Sequence, residues 1–394
     1  MSGKEQNIRG SQEDNRIILM KRLCIYVTYD HENRVDDYIG YMLRHLRNTV
    51  DTLVVVCNYQ NIAQGISNVK PYADRICYRD NKGFDAGAYK DVLCQELGWG
   101  EVEKFDELML INDSFYGPLY PLEELFQKMY QRNVDYWGMT RCPEVELADK
   151  NTYESHIQSY FLALGKTILR HKRFQQFWEN MEYPASFMQT VITFEIGINQ
   201  LLRQLGFRGA AAMDLCSVQW KLEKNQNPYL SYPLELIRDA ALPVLKRKSL
   251  SLSNKRFDNA IGALKFIGKA CDYDICLIES HLRRGTAGVN LMGVDSFYAA
   301  HARIFIYGAG DYGKNAAEYF SYKGWTFEKF LVTEMAGQPG NDRSNCSTFD
   351  RADIAEDDGI IIAVGNKKVF REIVQLVKKR CRIEQIYNPT DIIW

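Results

Sequence analysis

The sequence predicts an α/β protein of two domains, with a mostly parallel sheet in the first. Between residues 22 and 141, apolar segments of strand length alternate with segments of helical period. The strand segments are continuously apolar, as they are in parallel sheets covered by helices on both faces. Strands and helices alternate again from residue 301, in a chain of 394 residues that is long enough for a second core. We therefore expect a smaller α/β domain at the C-terminal end.

The first domain is predicted to repeat a strand followed by a helix. Its strands are uninterrupted apolar runs, at residues 22–30, 52–58, 75–81, 107–113 and 135–141. Its helices have apolar residues every three or four positions, at residues 35–49, 61–73, 86–97 and 122–133. Because ligands bind at the carboxyl ends of strands in such sheets, we expect a binding edge there. Polar residues follow four of these ends: Asp30, Asn58, Asp80 to Asp85, and Asn112 to Ser114.

The later segments predict one more strand, several helices and a closing α/β module. The strand runs into a helix at 156–169, and helices are predicted at 173–181, 191–207, 233–250 and 258–284. The module has a strand, a glycine turn and a helix at 301–325, strands at 327–334, 359–366 and 383–389, and a helix at 367–380. We therefore divide the chain into a flexible tail (1–20), a core (21–225), a helical extension (226–295) and a C-terminal module (300–394).

The composition excludes several classes of function. The net charge is −1, so no overall field attracts nucleic acid. The ten cysteines form neither a C-x-x-C pair nor a cluster of metal-binding spacing, which indicates a reducing, cytosolic environment. No apolar run of about 18 residues occurs, and the polar N-terminal segment lacks the features of a signal peptide. We therefore expect neither a transmembrane helix nor secretion.

The motif NKGFDAGAYK (81–90) lies between a predicted strand and a predicted helix. Gly83 and Gly87 flank Asp85, and glycines at such a turn let the backbone approach a ligand closely. The start of the helix offers unpaired N–H groups to an anion. Two interpretations of Asp85 stay open, an ordinary N-cap and a ligand contact.

The motif INDSFYGP (111–118) ends the next predicted strand with Asn112, Asp113 and Ser114. Asp113 is either a cap of the following helix or a carboxylate that binds a ligand. In sugar-nucleotide transferases a carboxylate at this strand end often contacts a divalent ion, and Mg²⁺ or Mn²⁺ suits carboxylate and phosphate oxygens. Because only one carboxylate is present, contact with ribose or sugar is the alternative to metal binding.

Three candidate residues follow in the second half of the core. His156 and Gln158 alternate around Ile157, so on a strand both side chains can face one cleft, although a structural histidine is the alternative. Glu195 is predicted in the first turn of the helix at 191–207, with Thr193 as N-cap, where the helix dipole favours a negative charge. The functional interpretation of Glu195 is a general base that deprotonates a sugar hydroxyl.

A compact basic run, Lys246, Arg247 and Lys248, follows a proline. Most runs of this kind are solvated surface, and the alternative is that this one neutralises a bound diphosphate.

The C-terminal module contains GAGDYG (308–313), in which Gly308, Gly310 and Gly313 follow a strand and open a helix. Glu334 lies near the end of the next strand, where an acidic residue can bind ribose. The alternative is that the glycines only allow tight packing of strand and helix. The module is shorter than a full dinucleotide-binding fold, which favours a pocket for a nucleotide or nucleotide sugar, or a vestigial one, over a dehydrogenase.

Eight motifs together resemble the rhamnan synthesis protein F family, over about residues 21–285. They occur in the order DNKGFDAGAYK, LINDSFYGPL, DYWGMT, HIQSYFLAL, FWENM, FEIGINQLLRQLGF, PVLKRK and YDICLIESHLRR. Proteins of that family look like GT-A-type glycosyltransferases of bacterial rhamnose-containing cell-wall polysaccharide. Residues 301–394 resemble small Rossmann-like modules appended to sugar-modifying enzymes, and they lie outside the family's transferase core.

The resemblance implies transfer of a sugar, typically rhamnose from dTDP-rhamnose, onto a growing glycan. It implies a cytoplasmic protein at the inner face of the plasma membrane, with a nucleotide sugar and a glycan or lipid-linked glycan as partners. Matched by motif, His156, Gln158 and Glu195 would lie on the sugar and acceptor side, with Glu195, or alternatively Asp113, as the base of an inverting displacement. Asp113 would stand at the position of a metal-binding carboxylate, and the donor side would comprise Asp30, Asn81, Gly83, Asp85, Asn112, Ser114, Lys246, Arg247 and Lys248.

Two other functions remain open from the sequence. The first is a nucleotide-dependent oxidoreductase or epimerase that uses the GAGDYG turn, although no Tyr-x-x-x-Lys pair follows at a useful place. Tight NAD binding with turnover of a nucleotide sugar would favour it. The second is a non-catalytic scaffold of polysaccharide assembly, which predicts neither hydrolysis nor binding of a dTDP- or UDP-sugar.

Overall fold

The computed structural model describes residues 20–59, 61–146, 152–214, 227–284, 294–334 and 345–387. The chain divides into a first unit, residues 1–227 with 242–244, and a second unit, residues 228–241 with 245–394. The predicted C-terminal module and most of the predicted helical extension fall in the second unit, whereas residues 226–227 and 242–244 of the extension belong to the first. The predicted tail, apart from Met20, lies outside the described residues.

Eight of the described strands of the first unit form one sheet, with strand order β11-β6-β10-β4-β1-β2-β3 and β9 paired to β6. All of them run parallel except β10 and β9, which are antiparallel to their neighbours. The predicted mostly parallel α/β sheet is therefore confirmed. The strands of this unit are β1 (Arg22–Thr28), β2 (Thr52–Cys57), β3 (Arg75–Tyr78), β4 (Glu107–Asn112), β5 (Phe115–Tyr116), β6 (Tyr136–Cys142), β7 (Val145–Glu146), β8 (Thr152–Tyr153), β9 (His156–Ile157), β10 (Phe161–Gly165) and β11 (Gly209–Asp214).

The continuous apolar runs are explained by burial of both faces of the sheet. All seven residues of β1 are buried. Leu23, Ile25 and Val27 point into a core cluster that also contains Tyr89 and Trp178. The alternate residues Cys24 and Tyr26 are buried as well, at 0% and 1% exposure. A strand buried on both faces gains from apolar side chains at every position, which removes the alternation typical of half-exposed strands.

The helices of the first unit follow the prediction closely, with two exceptions. They are α1 (Asp37–Arg47), α2 (Phe84–Asp91, continued by π-helical Val92–Leu97), α3 (Trp99–Val102), α4 (Leu122–Gln131), α5 (Lys166–Leu169), α6 (Lys172–Asn180), α7 (Phe187–Thr190), a π-helical segment (Val191–Ile196) and α8 (Gly197–Gln204). The helix predicted at 61–73 is only a 3₁₀ turn at Ile66–Asn68. Gly65 has a left-handed backbone there, with φ of 78°, and Pro71 follows, so a longer helix cannot form.

The second exception is the helix that carries Glu195, which was predicted to begin at 191. It begins at Phe187, and the Ser186 hydroxyl accepts a hydrogen bond from the Gln189 N–H as its cap. The hydroxyl of Thr193 donates to the Gln189 carbonyl at 2.8 Å, so Thr193 is not the N-cap. Glu195 therefore lies beyond the first turn, in the π-helical segment, where its negative charge does not interact with the helix start.

The second unit contains a five-stranded, fully parallel sheet, with strand order β15-β14-β13-β16-β17. The described strands are β12 (Leu245–Lys246), β13 (Ile304–Tyr307), β14 (Phe330–Val332), β15 (Cys346–Thr348), β16 (Gly359–Ile362) and β17 (Ile386–Tyr387). The helices are α9 (Pro228–Ser231), α10 (Pro233–Ala240), α11 (Phe257–Ala270), α12 (Ile275–Arg284), α13 (Val294–Ala300), α14 (Asp311–Lys323) and α15 (Lys367–Val377), with 3₁₀ turns at Arg247–Leu250, Phe349–Arg351 and Ile383–Gln385. Asn315 of α14 donates to the carbonyls of Leu252 and Asn254, at 2.7 and 2.9 Å, and so fixes the helix to the segment before α11.

Among the described residues, no helix has both the length and the apolar character that crossing a bilayer requires.

Candidate active site

Asp113 is fixed at the carboxyl end of β1, although it follows β4 in the chain. Its Oδ2 accepts hydrogen bonds from the Thr28 hydroxyl at 2.9 Å and from the Tyr29 N–H at 3.1 Å. Its own N–H donates to the Val27 carbonyl at 3.1 Å. The carboxylate is therefore held where the parallel strands end, the edge at which such sheets bind ligands.

Asn112 links this strand end to the glycine motif. Its Nδ2 donates to Asp85 Oδ2 at 2.7 Å, and its Oδ1 accepts from the Ser114 N–H at 3.1 Å. Asp85 Oδ1 accepts from the Ala86 N–H at 2.9 Å. Because Gly83 occupies the N-cap position of α2, Asp85 lies within the first turn and is not the N-cap. Burial raises the pKa of Asp85, and the charge of Glu195 raises it further. The hydrogen bonds from Asn112 and Ala86 lower the pKa, but their effect is smaller.

At both glycines of the motif, a side chain would come too close to neighbouring atoms. Gly83 has a left-handed backbone, with φ of 75°, and a Cβ there would lie 2.8 Å from Cδ1 of Tyr183. A Cβ on Gly87 would lie 2.3 Å from the Lys82 carbonyl oxygen. Tyr183 was not predicted as a site residue, since it lies far from the motif in sequence and no local pattern marks it.

A second layer of polar contacts holds the ends of β2 and β3. Asn58 is 3% exposed, and its Nδ2 donates to Asn81 Oδ1 at 3.0 Å. Asn58 Oδ1 accepts from Arg79 at 2.9 Å, and Arg79 also pairs with Asp91 at 2.7 Å. Asn81 is thereby fixed beside the glycine motif.

Asp30 has a structural task at the end of β1. It is 4% exposed, and its Oδ1 accepts from the backbone N–H groups of Glu32 and Arg34, at 3.0 and 3.3 Å. The carboxylate therefore stabilises the turn that leads to α1.

Glu195 is held by donors from the segment before β10. Its Oε2 accepts from the N–H and the hydroxyl of Ser159, at 2.7 and 2.6 Å, and its Oε1 lies 3.1 Å from Nε2 of His156. Burial raises the pKa of Glu195. The hydrogen bond and the charge of His156, together with the hydrogen bonds from Ser159, outweigh the effect of burial, so the pKa is lowered. Glu195 is therefore ionised at neutral pH, with 16% of its side chain exposed.

His156 is buried, at 5% exposure, and both ring nitrogens have partners. Nδ1 lies 2.8 Å from the Glu154 carbonyl, and Nε2 faces Glu195. Burial lowers the pKa of His156, but the hydrogen bond and charge of Glu195 outweigh burial, so the pKa is raised. Gln158 does not contact this pair in the contacts described, and its Oε1 accepts from the Thr140 hydroxyl at 2.9 Å.

Asn199, one helical turn after Glu195, was also missed by the sequence analysis. Its Oδ1 accepts from the Ile157 N–H, and its Nδ2 donates to the Ile157 carbonyl, both at 2.9 Å. The spacing of four residues from Glu195 is the signal that could have indicated it, because residues i and i+4 share a helix face. Glu195 and Asn199 together join this helix to β9.

The donor set around Asp113 is small for a metal ion. Across the ranges that the structure describes, no three His, Cys, Asp or Glu side chains come together as possible metal ligands. One carboxylate still fits Mg²⁺, which proteins often bind through one or two carboxylates together with substrate phosphates and water.

The remaining predicted residues belong to the second unit. Lys246 ends β12, while Arg247 and Lys248 form the 3₁₀ turn that follows it. Burial, together with the charge of Arg247, lowers the pKa of Lys248.

In the GAGDYG turn, the three glycines differ in what surrounds them. Gly308 has a left-handed backbone, with φ of 111°, and a Cβ on Gly313 would lie 1.8 Å from the Gly308 carbonyl oxygen. A Cβ on Gly310 would meet no atom within 4 Å. Glu334 lies exposed just after β14. Gly313 is thus explained by packing of α14 on β13, whereas Gly310 leaves open space at the start of the helix.

Comparison with known proteins identifies a family model, rhamnan synthesis protein F (RgpF), that matches residues 53–295, more than half of the chain. The uncharacterized protein y4gN of Sinorhizobium fredii is 23% identical over 165 residues, 42% of each chain, so this chain spans less than half of y4gN. The virulence protein VirA of Vibrio anguillarum is 22% identical over 224 residues, 56% of this chain and 69% of VirA.

Among solved structures, the glycosyltransferase GlyE of Streptococcus pneumoniae is similar to this chain. The alignment covers 92% of this chain and 90% of the GlyE chain. The TM-score is 0.33 at 9% identity. A likeness at this level supports no conclusion about fold or function.

Proposed function

The chain belongs to the rhamnan synthesis protein F family, and we propose that it is a glycosyltransferase. The donor is a nucleotide sugar, dTDP-rhamnose, and the acceptor is a growing cell-wall or surface polysaccharide, as a free or lipid-linked glycan. The proposal places the protein in the cytoplasm, at the inner face of the plasma membrane. The observation that carries it is the hydrogen bond from Asn112 to Asp85, which joins the glycine motif to the strand end that Asp113 follows.

In the proposed reaction, an acceptor hydroxyl displaces the nucleoside diphosphate with inversion at the anomeric carbon. Glu195 takes the hydroxyl proton while the new C–O bond forms and the bond to the diphosphate oxygen breaks. His156 and Ser159 hold the carboxylate in place and keep it in the deprotonated form that a general base requires. Asp113, at the end of β1, is the alternative base.

The donor side of the proposed site is the edge formed by the ends of β1 to β4. The pocket for the nucleotide is lined by Asp30, Asn81, Gly83 and Asp85. Asn112 and Ser114 flank Asp113 in the sequence. Asp113 would hold Mg²⁺ or Mn²⁺, and the ion, when bound, would neutralise charge on the diphosphate. That Lys246, Arg247 and Lys248 neutralise the donor diphosphate stays a prediction from the sequence, because these residues belong to the second unit.

A panel of nucleotide sugars tests the proposal directly. The thermal midpoint is measured with dTDP-rhamnose, UDP-, GDP- and other sugars, each with and without Mn²⁺. A donor present at about 100 times its Kd stabilises the folded state by about 2.7 kcal/mol, so the midpoint rises measurably. Stabilisation followed by sugar transfer supports the proposal. Absence of both for the whole panel would contradict it and favour the scaffold.

A second candidate function rests on the GAGDYG turn of the second unit. Its strand–turn–helix context and the open space at Gly310 favour a nucleotide ligand, with Gly308, Gly313 and Glu334 as its other proposed contacts. An oxidoreductase or epimerase is then expected to bind NAD tightly and to turn over a nucleotide sugar without transfer. Titration followed by the fluorescence of the reduced cofactor, NADH, separates this candidate from the first.

A further inference from the structure

We propose that Lys82, seated on the ring of Tyr183, is the side chain that binds the diphosphate of the donor. This inference rests on the proposed function and deepens it by naming the cation of the site. Lys82 is exposed and lies between Asn81 and Gly83, at the turn that leads into α2. Its ammonium lies 4.6 Å from the centre of the Tyr183 ring.

The other cations around the glycine motif already have structural tasks. Arg79 pairs with Asp91 at 2.7 Å, and it also donates to Asn58 Oδ1 and to the Lys82 carbonyl. Lys90 donates to the carbonyls of Glu179 and Met181, at 2.8 and 2.7 Å, at the C-terminal end of α6. Their charges are therefore committed to holding the motif together.

Lys82 differs from both. Within the described part of the chain, the Lys82 ammonium has neither a carboxylate partner nor a hydrogen-bond acceptor. It lies over the Tyr183 ring. The Arg79 guanidinium donates a hydrogen bond to the Lys82 carbonyl oxygen at 2.6 Å. This bond holds the backbone of Lys82, while its side chain is exposed to solvent. A lysine on an aromatic face is attracted by the ring quadrupole and keeps its N–H donors for a ligand.

The charge balance of the site calls for such a cation. Asp85, Asp113 and Glu195 contribute carboxylates, and His156, when it is protonated, is paired with Glu195. A diphosphate adds negative charge to this edge. Lys82 stands at the start of α2, an eight-residue helix whose N-terminal N–H groups also favour an anion. The ammonium and the helix start together can balance the charge that the leaving group carries.

Tyr183 connects Lys82 to other parts of the proposed site, and the Lys90 ammonium lies over the same ring at 5.7 Å. Its ring covers Gly83 and Gly87, and its hydroxyl donates to Asp91 Oδ1 at 2.5 Å. It belongs to the short segment between α6 and α7, the helix that continues toward Glu195. Tyr183 therefore joins the donor side of the proposed site to the helix that carries the proposed base.

Calorimetric titration of the full-length protein with dTDP, UDP and GDP tests the inference. Lys82→Met keeps the length of the side chain and removes its charge, and we expect it to weaken binding of the preferred diphosphate about tenfold. Lys82→Arg is expected to stay within about threefold of the wild type. The control is Lys128→Met, an exposed lysine on α4, which should bind as the wild type does.

Two further binding measurements vary the salt concentration and substitute Tyr183. Because exposed charges are screened, raising the salt concentration should narrow the difference between the wild type and Lys82→Met. Tyr183→Phe keeps the ring and should bind within about threefold of the wild type, whereas Tyr183→Leu removes the seat and should weaken binding as Lys82→Met does.

The outcomes separate this inference from the proposed function. If the wild type binds a nucleoside diphosphate and Lys82→Met binds it equally well, the role of Lys82 is wrong and the transferase proposal stands. If the wild type binds none of the three diphosphates, the proposed function fails, and the inference fails with it.

Discussion

His156 and Glu195 form a buried pair whose charges depend on each other. The lowered pKa of Glu195 means that its contribution to stability is present above its usual pKa of 4.5 and is lost as the pH falls through the lowered value. The raised pKa of His156 means that its contribution is full below its usual pKa of 6.5 and is lost as the pH rises through the raised value. The pair therefore stabilises the fold most between these two limits.

This dependence predicts the pH profile of stability. The wild type should lose stability on both sides of the window relative to His156→Gln, which cannot form the ion pair. Thermal midpoints measured from pH 4 to pH 9 give the test. Curves that run parallel for the two proteins over the whole range would show that the pair does not contribute through its charges.

The proposed base is tested by Glu195→Gln. The amide keeps the shape of the side chain but accepts no proton, so we expect kcat to fall by about 10²- to 10⁴-fold, with donor binding changed by less than about threefold. Transfer assays and calorimetry measure the two quantities separately. Glu124→Gln, at an exposed position in the first turn of α4, is the control. Full transfer activity in Glu195→Gln would exclude Glu195 as the base.

Gly87→Ala probes the close contact inside the glycine motif. The added Cβ would approach the Lys82 carbonyl oxygen to 2.3 Å, so backbone must move. We expect a loss of about 1–3 kcal/mol in the free energy of unfolding and weaker binding of nucleoside diphosphate. Gly100→Ala is the matched control, because its Cβ would meet nothing within 4 Å in α3, and it should be neutral or slightly stabilising. Equal unfolding free energies for the two variants would contradict the contact.

At the scale of elements, the helix from Phe187 to Gln204 shows the limit of periodicity. The apolar positions from 191 onward indicated a helix, but the start depends on the Ser186 hydroxyl, which accepts from the Gln189 N–H. The π-helical segment that contains Glu195 has no signature in the sequence, since it arises where packing inserts a residue into the turn. Such segments occur often at functional sites, which is consistent with the proposed role of Glu195.

Removal of this cap should be measurable. Ser186→Ala leaves the Gln189 N–H without its acceptor, and we expect a loss of about 1 kcal/mol in the free energy of unfolding by denaturant. Ser186→Asn keeps a side-chain oxygen and should restore most of the stability. If Ala and Asn are equally destabilising, the observed cap does not stabilise the helix start.

Other elements mark where sequence reasoning succeeds and where it cannot. The buried parallel strands were predicted because their interior positions are continuously apolar, as from Leu23 to Val27 in β1. The edge strand β11 was missed because GAAAMD lacks the β-branched and aromatic residues typical of strands. Asn112 and Asp113 were predicted as site residues because they end a strand, whereas Tyr183 reaches the glycine motif only through the tertiary fold.

At the scale of the whole molecule, the residues of the proposed acid–base chemistry all belong to the first unit. Gly310→Ala in the second unit therefore gives a clean division between the two candidate functions. Its Cβ enters open space and Gly310 has φ of −81°, so the variant should fold as the wild type does. We expect unchanged sugar transfer in a coupled transfer assay. If neither protein transfers sugar, and Gly310→Ala loses the NAD binding and the nucleotide-sugar turnover that the wild type shows, the oxidoreductase or epimerase is favoured.

The reversed strand β10 has a consequence for how this protein can diversify. Phe161, its first residue, pairs with Ile111 near the carboxyl end of β4, so the chain enters β10 at the same edge where its neighbours leave the sheet. The segment 156–160 therefore reaches that edge on its own stretch of polypeptide, separate from the loops after β1 to β4. Under the proposed function, we expect exchange of this one segment between family members to change the acceptor preference without altering the donor loops.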